Sequence, residues 1–110
     1  MLNRGAVILR PKQPYLDWGA GLDHSRLVPD VGAEKTVYLI PSYESDEEGW
    51  AILAEGYESI FEAELFGWHT DEAAWPQGRS LQMFKEWFHV ELHSVVEDLC
   101  GYELIDTEVG

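Results

Sequence analysis

The sequence predicts an α+β fold: a single small domain over residues 1–110, in which a two- or three-stranded sheet packs against two long helices and one short helix. Three observations lead there. Two short runs, Gly5–Arg10 and Thr36–Ile40, are rich in aliphatic and β-branched side chains, and each is stopped by a proline, Pro11 and Pro41. A capping-box signature at Ser45–Glu48 opens a stretch whose apolar residues recur every three or four positions as far as Trp68. A second stretch of the same period follows Ser80.

Taken in order, Gly5–Arg10 reads as a strand buried on both faces. Pro14 fits the first turn of a short helix over Tyr15–Leu22, which Gly19 and Gly21 weaken. Residues 23–35, with Pro29, Gly32 and mixed charge, read as a loop, and Thr36–Ile40 as the second strand. If the two strands are adjacent and parallel, their crossover is right-handed. Beyond the cap at Ser45, Trp50, Leu53, Tyr57, Ile60, Phe61, Leu65 and Trp68 form one apolar stripe, with Glu55, Glu58, Glu62 and Glu64 largely off it. His69–Arg79 is a loop. Ser80 then caps a pattern of Leu81, Phe84, Phe88, Leu92, Val95 and Leu99, which predicts a helix to about Leu99 with Gly101 at its left-handed end. A strand over Phe88, Val90 and Leu92 competes, but its alternation slips at Val95-Val96, and the helix is preferred. Tyr102–Val109 reads as a polar edge strand.

Charge is unevenly spread. The chain holds 21 acids against 7 Lys and Arg, a formal net charge of −14. Five of the seven cations, Arg4, Arg10, Lys12, Arg26 and Lys35, lie in the first 35 residues, and only Arg79 and Lys85 follow. Such a chain repels phosphate backbones and anionic lipid, so neither nucleic acid nor a membrane is an expected partner. The longest aliphatic run, Ala6–Leu9, is too short to span a bilayer, and Arg10 interrupts it before it reaches the length of a signal peptide. The single cysteine, Cys100, fits a reducing, cytoplasmic setting.

Several short motifs carry chemistry on paper. His89 and His93, four apart, share a face if their segment is helical and are the candidate metal ligands. The residue after His89 is Val90 and not Glu, so the metalloprotease pattern is absent, and two ordinary histidines at a helix border are the preferred reading. Glu44, Asp46, Glu48, Gly49 and Glu55 match the spacing of a calcium loop, yet a helix start explains the same acids. Gly19-Ala20-Gly21 lacks both the third glycine and the tight strand-to-helix turn of a dinucleotide fingerprint. Cys100 has no activating neighbour pattern, and no catalytic residue or cofactor is predicted.

The most site-like segment is Arg10, Lys12, Tyr15 and Trp18, which Trp75 and Arg79 can join if the strand ends and the later loop converge. These six are the candidate ligand-binding residues. The competing reading has the cations neutralising nearby glutamates, and it is preferred. Arg10-Pro-Lys-Gln-Pro-Tyr-Leu-Asp-Trp18, together with Trp75-Pro-Gln-Gly-Arg79 and Phe84-Lys-Glu-Trp-Phe88, resembles a group of small acidic bacterial proteins of uncharacterised function. The resemblance implies a bacterial, cytoplasmic, stand-alone protein and carries over no function.

The expectation is therefore a non-enzymatic acidic module whose helical face, Glu47, Glu48, Glu55, Glu58 and Glu62, meets a basic protein surface. The alternative is a small-ligand or metal-binding protein using the residues above. The aromatic content is also compatible with a homodimer.

Overall fold

The computed structural model describes residues 1–22 and 35–105. The chain is an α+β fold: strand β1 (Arg4–Pro11), helix α1 (Gln13–Leu22), strand β2 (Thr36–Pro41), helix α2 (Asp46–Trp68), a 3-10 turn (Glu72–Ala74), helix α3 (Leu81–Trp87) and strand β3 (Phe88–His93). The loop expected over 23–35 lies outside the described residues except at Lys35.

The sheet has the order β2-β1-β3, and both pairings are antiparallel. The parallel crossover weighed from the sequence is thus replaced. Leu9 pairs with Thr36, so the excursion through α1 returns to the end of the sheet it left, and β2 must run back along β1. From Val7 to Arg10 the burial alternates about the sheet plane. Val7 and Leu9 are fully buried, whereas Ile8 is partly covered and Arg10 exposed. The helices lie on the Val7/Leu9 side, and among the described residues no helix covers the opposite face, which is open at Ile8 and Arg10.

The third helix ends at Trp87, twelve residues before the Leu99 that the periodicity predicts, and Phe88–His93 is a strand. Two physical effects compete there. The spacing of Phe84, Phe88 and Leu92 fits a helix, but Phe88, Val90 and Leu92 also alternate. Without a third strand, one edge of the buried β1 would leave its backbone polar groups unpaired. β3 satisfies them by pairing Val7 with Leu92, Leu9 with Val90 and Pro11 with Phe88. α3 is consequently a two-turn connector, capped by the Ser80 side chain, which accepts from the Met83 N–H at 3.1 Å. Gly101 caps no helix, and residues 94–105 contain neither helix nor strand. The edge strand expected at 102–109 is absent over 102–105, and the remainder lies outside the described residues.

α2 begins where the capping box places it. The Ser45 hydroxyl accepts from the Glu48 N–H at 3.2 Å, and Glu48 reaches back to accept the Glu44 N–H at 3.1 Å. The calcium-loop spacing is therefore the first turns of a helix. Gly49, Leu53, Ile60, Phe61 and Leu65 form its buried side. Phe61, Phe84 and Phe88 are the largest fully buried side chains, with ring centroids 5.4 to 5.8 Å apart. Two tyrosines fix α2 over the sheet through one residue: Tyr15 donates to the Glu64 carbonyl at 2.7 Å and Tyr38 to the Glu64 carboxylate at 2.6 Å. Burial first, then the Glu64 hydrogen bond and charge, push the Tyr38 hydroxyl pKa well up, so this bond persists as a donor–carboxylate pair.

Candidate functional site

The sequence assembled six residues around the end of the first strand, and the structure separates them by role. Tyr15 and Trp75 are core residues, each 6% exposed. Trp18 is partly buried and packs against Tyr15 and Trp87. The indole N–H groups act as ties between elements: Trp18 donates to the Ala74 carbonyl at 3.0 Å, Trp75 to the His69 carbonyl at 2.8 Å, and Trp68 to the Gly19 carbonyl at 3.1 Å. Buried aromatics whose polar tips are already spent on backbone hold the fold and present nothing to a ligand. Lys12 is exposed and donates to the Lys85 carbonyl at 3.0 Å, closing the end of α3.

Arg79 is likewise structural. Its guanidinium donates to the Pro76 carbonyl at 2.9 Å and to Glu62 Oε1 at 3.1 Å, and lies 5.9 Å from the Trp75 ring centroid. Its side chain is only 15% exposed, so this pair is better shielded than an ordinary surface ion pair. Arg79→Ala is expected to lower stability by about 1–2 kcal/mol with the helix content retained. Urea unfolding followed by circular dichroism measures it. An unchanged midpoint would mean that the guanidinium contributes nothing to the fold.

Only Arg10 of the six remains available. It lies on the open face of the sheet, where register sets it opposite His89 of β3. Ile8 pairs there with Glu91, and Ala6 with His93. A shallow cavity of about 60 Å³ on this face is lined by Ile8, Arg10, Lys35, His89 and Glu91. His93 Nε2 sits 2.8 Å from Glu91 Oε2. That hydrogen bond, followed by the charges of His93, His89 and Lys35, holds the Glu91 carboxyl below its usual range despite some desolvation.

The histidine pair itself changes meaning. In a strand, His89 and His93 still share a face, but at about 3.3 Å per residue their backbones are about 13 Å apart, too far to share one ion. Among the described residues no group of three or more His, Cys, Asp or Glu is arranged to hold a metal. Cys100 is exposed, outside any helix.

The acidic helical face is present on α2. Glu47, Glu48, Glu55 and Glu58 are exposed, and Glu62 is half-covered by its bond to Arg79. Eleven residues make just over three turns, so Glu47 and Glu58 lie above one another about 17 Å apart along the axis. Exposed Ala51 and Ala54 fall between them, and Glu55 flanks them. No ion pair to Glu47, Glu55 or Glu58 occurs among the described residues. No described helix is long and apolar enough to cross a membrane.

Comparison with protein-family models, with curated proteins and with solved structures finds no match. The sequence reading missed the association of Lys35 and His89 with Arg10. The available signal was the alternation His89, Glu91, His93, which places all three on one face once the segment is read as a strand.

Proposed function

We propose that the protein is an acidic docking module, with the solvent side of α2 binding a basic surface of another protein. The supporting observation is the stripe Glu47, Glu55 and Glu58, which has no ion-pair partner among the described residues. A folded domain stabilised only for itself gains from placing its few cations beside its carboxylates, as Arg79 does with Glu62. Among the described residues the stripe is left uncompensated, and the small side chains of Ala51 and Ala54 give a partner's lysines and arginines room to approach the helix. Glu62 contributes less, because its charge is already matched.

Charge-led docking fixes on-rate and partner choice and weakens with ionic strength. Capture of partners from lysate by the native protein is therefore compared with capture by Glu47→Gln/Glu55→Gln/Glu58→Gln, at low and at high salt. A stoichiometric partner that binds the native protein at low salt, and is lost on either salt or the triple substitution, supports the reading. A partner retained by the triple variant at high salt overturns it.

A further inference from the structure

The open face of the sheet concentrates positive charge on a chain that has very little. Its central row is Lys35, Arg10 and His89. Arg10 pairs with His89, and Lys35 continues β2 one residue beyond the Leu9–Thr36 pair, which sets it beside Arg10 on the other side. All three line the same shallow cavity with Ile8 as its apolar floor. With 21 acids in the chain, a carboxylate partner for each cation is easily supplied. Yet among the described residues neither the Arg10 nor the Lys35 side chain makes a hydrogen bond or ion pair, and the His89 ring makes none. Glu91, the one acid in the cavity wall, is taken up by His93 at 2.8 Å. Among the described residues, two fixed cations and an imidazole donor therefore face one small concavity whose single carboxylate, Glu91, is hydrogen-bonded to His93. Bringing like charges together in this way costs energy that a bound anion recovers.

We propose that this cavity binds a phosphoryl group, with the Arg10 guanidinium and the Lys35 ammonium as charged donors and the His89 ring N–H as a third donor. The planar fork of Arg10 suits two oxygens of a tetrahedral oxyanion at once. A cavity of about 60 Å³ admits a few water-sized groups, enough for a phosphoryl head and too little for a whole nucleotide. The remainder of a phosphomonoester would lie on the neighbouring apolar strip, where Val37 and Leu39 are 58% and 48% exposed and Val37 pairs with Ile8. Glu91 opposes the anion, so its charge sets an upper limit on affinity.

The test is a titration of the native protein with inorganic phosphate and with glycerol phosphate, read by amide and histidine-ring NMR shifts, against sodium chloride of matched ionic strength. Saturable shifts at Ile8, Arg10, Lys35, His89 and Glu91, absent with chloride, are expected. Tighter binding of glycerol phosphate identifies a monoester as the ligand, and equal binding identifies free phosphate. Arg10→Gln/Lys35→Gln should weaken binding at least tenfold, Glu91→Gln should tighten it, and Glu47→Gln/Glu55→Gln/Glu58→Gln should leave it unchanged, which separates this site from the α2 surface. The exposed Arg10 and Lys35 side chains make no hydrogen bond or ion pair among the described residues, and the melting temperature of the double variant without phosphate checks that its fold is intact. Shifts that stay linear and scattered, or a double variant that binds as the native protein does, would overturn the proposal.

Discussion

Phe61→Ala is expected to cost about 4 kcal/mol of stability. Phe61 is fully buried on α2 and meets three rings, Phe84 at 5.8 Å, Trp87 at 5.7 Å and Phe88 at 5.4 Å between centroids. Those rings belong to α3 and β3, so the side chain joins the long helix to the elements that complete the sheet. Truncation removes the transfer energy of the ring and leaves a cavity that two other phenylalanines and a tryptophan cannot fill without leaving their rotamers. A domain of this length has a total stability of about 5–15 kcal/mol, so the variant is expected to be near its unfolding midpoint in mild urea. Trp87 lies against the lost ring and its fluorescence reports the transition. Phe61→Leu, which refills much of the cavity, should recover more than half of the loss. A cost under about 1 kcal/mol for the alanine variant would show that this cluster is not close-packed.

Gly5→Ala is expected to cost about 2–3 kcal/mol, a large effect for one methyl group. The residue sits on the helix-facing side of the central strand, and a Cβ there would lie 2.6 Å from Tyr43 Cε1, 2.8 Å from Tyr43 Cδ1 and 3.3 Å from the His93 carbonyl oxygen. Tyr43 is itself buried, so its ring has nowhere to retreat. Removing the obstacle relieves the clash: in Tyr43→Ala, the added Gly5→Ala should cost far less than it does alone, and the coupling in a double-mutant cycle measures the contact. Gly49 supplies the contrast. Its Cβ would meet Leu92 Cδ1 and the Tyr43 ring at Cε2, both at 3.1 Å, a milder conflict by distance that is offset by about 1 kcal/mol of helix propensity. Additive losses at Gly5 and Tyr43 would mean that the two do not touch.

The elements that could be read in the sequence are those whose signal is local. Ser45 and Glu48 set the start of α2 through hydrogen bonds spanning three and four residues, and the structure makes those bonds. Pro11 and Pro41 close their strands as written. The apolar stripe of α2 is buried at Leu53, Ile60, Phe61 and Leu65, because a period of three to four over 23 residues admits no competing reading. Over Phe84–Leu92 the same period is shorter and shares its residues with an alternating pattern. The choice between them was made by the free edge of β1, which is a property of a distant segment.

The site shows the same division. Arg79 and Glu62 are 17 residues apart and come together only through the loop that follows α2, which also seats Trp75. Arg10 and Lys12, two residues apart, differ in role because one lies in the strand and the other beyond its end, where the Lys85 carbonyl is in reach. Nothing in their identity distinguishes them. The pairing of Arg10 with His89 depends entirely on the register of β1 against β3.

By itself the sequence determined the class of fold, the start of the long helix, two of the three strands and the surplus of negative charge, since each follows from composition or from hydrogen bonds within a few residues. Only the tertiary structure decided that the third helix stops at Trp87, that the strands are antiparallel, and which of the described cations lack a protein partner among the described residues. Those outcomes depend on satisfying the backbone of a buried central strand and on which face of the sheet the helices cover, and both are settled by contacts between residues far apart in the chain.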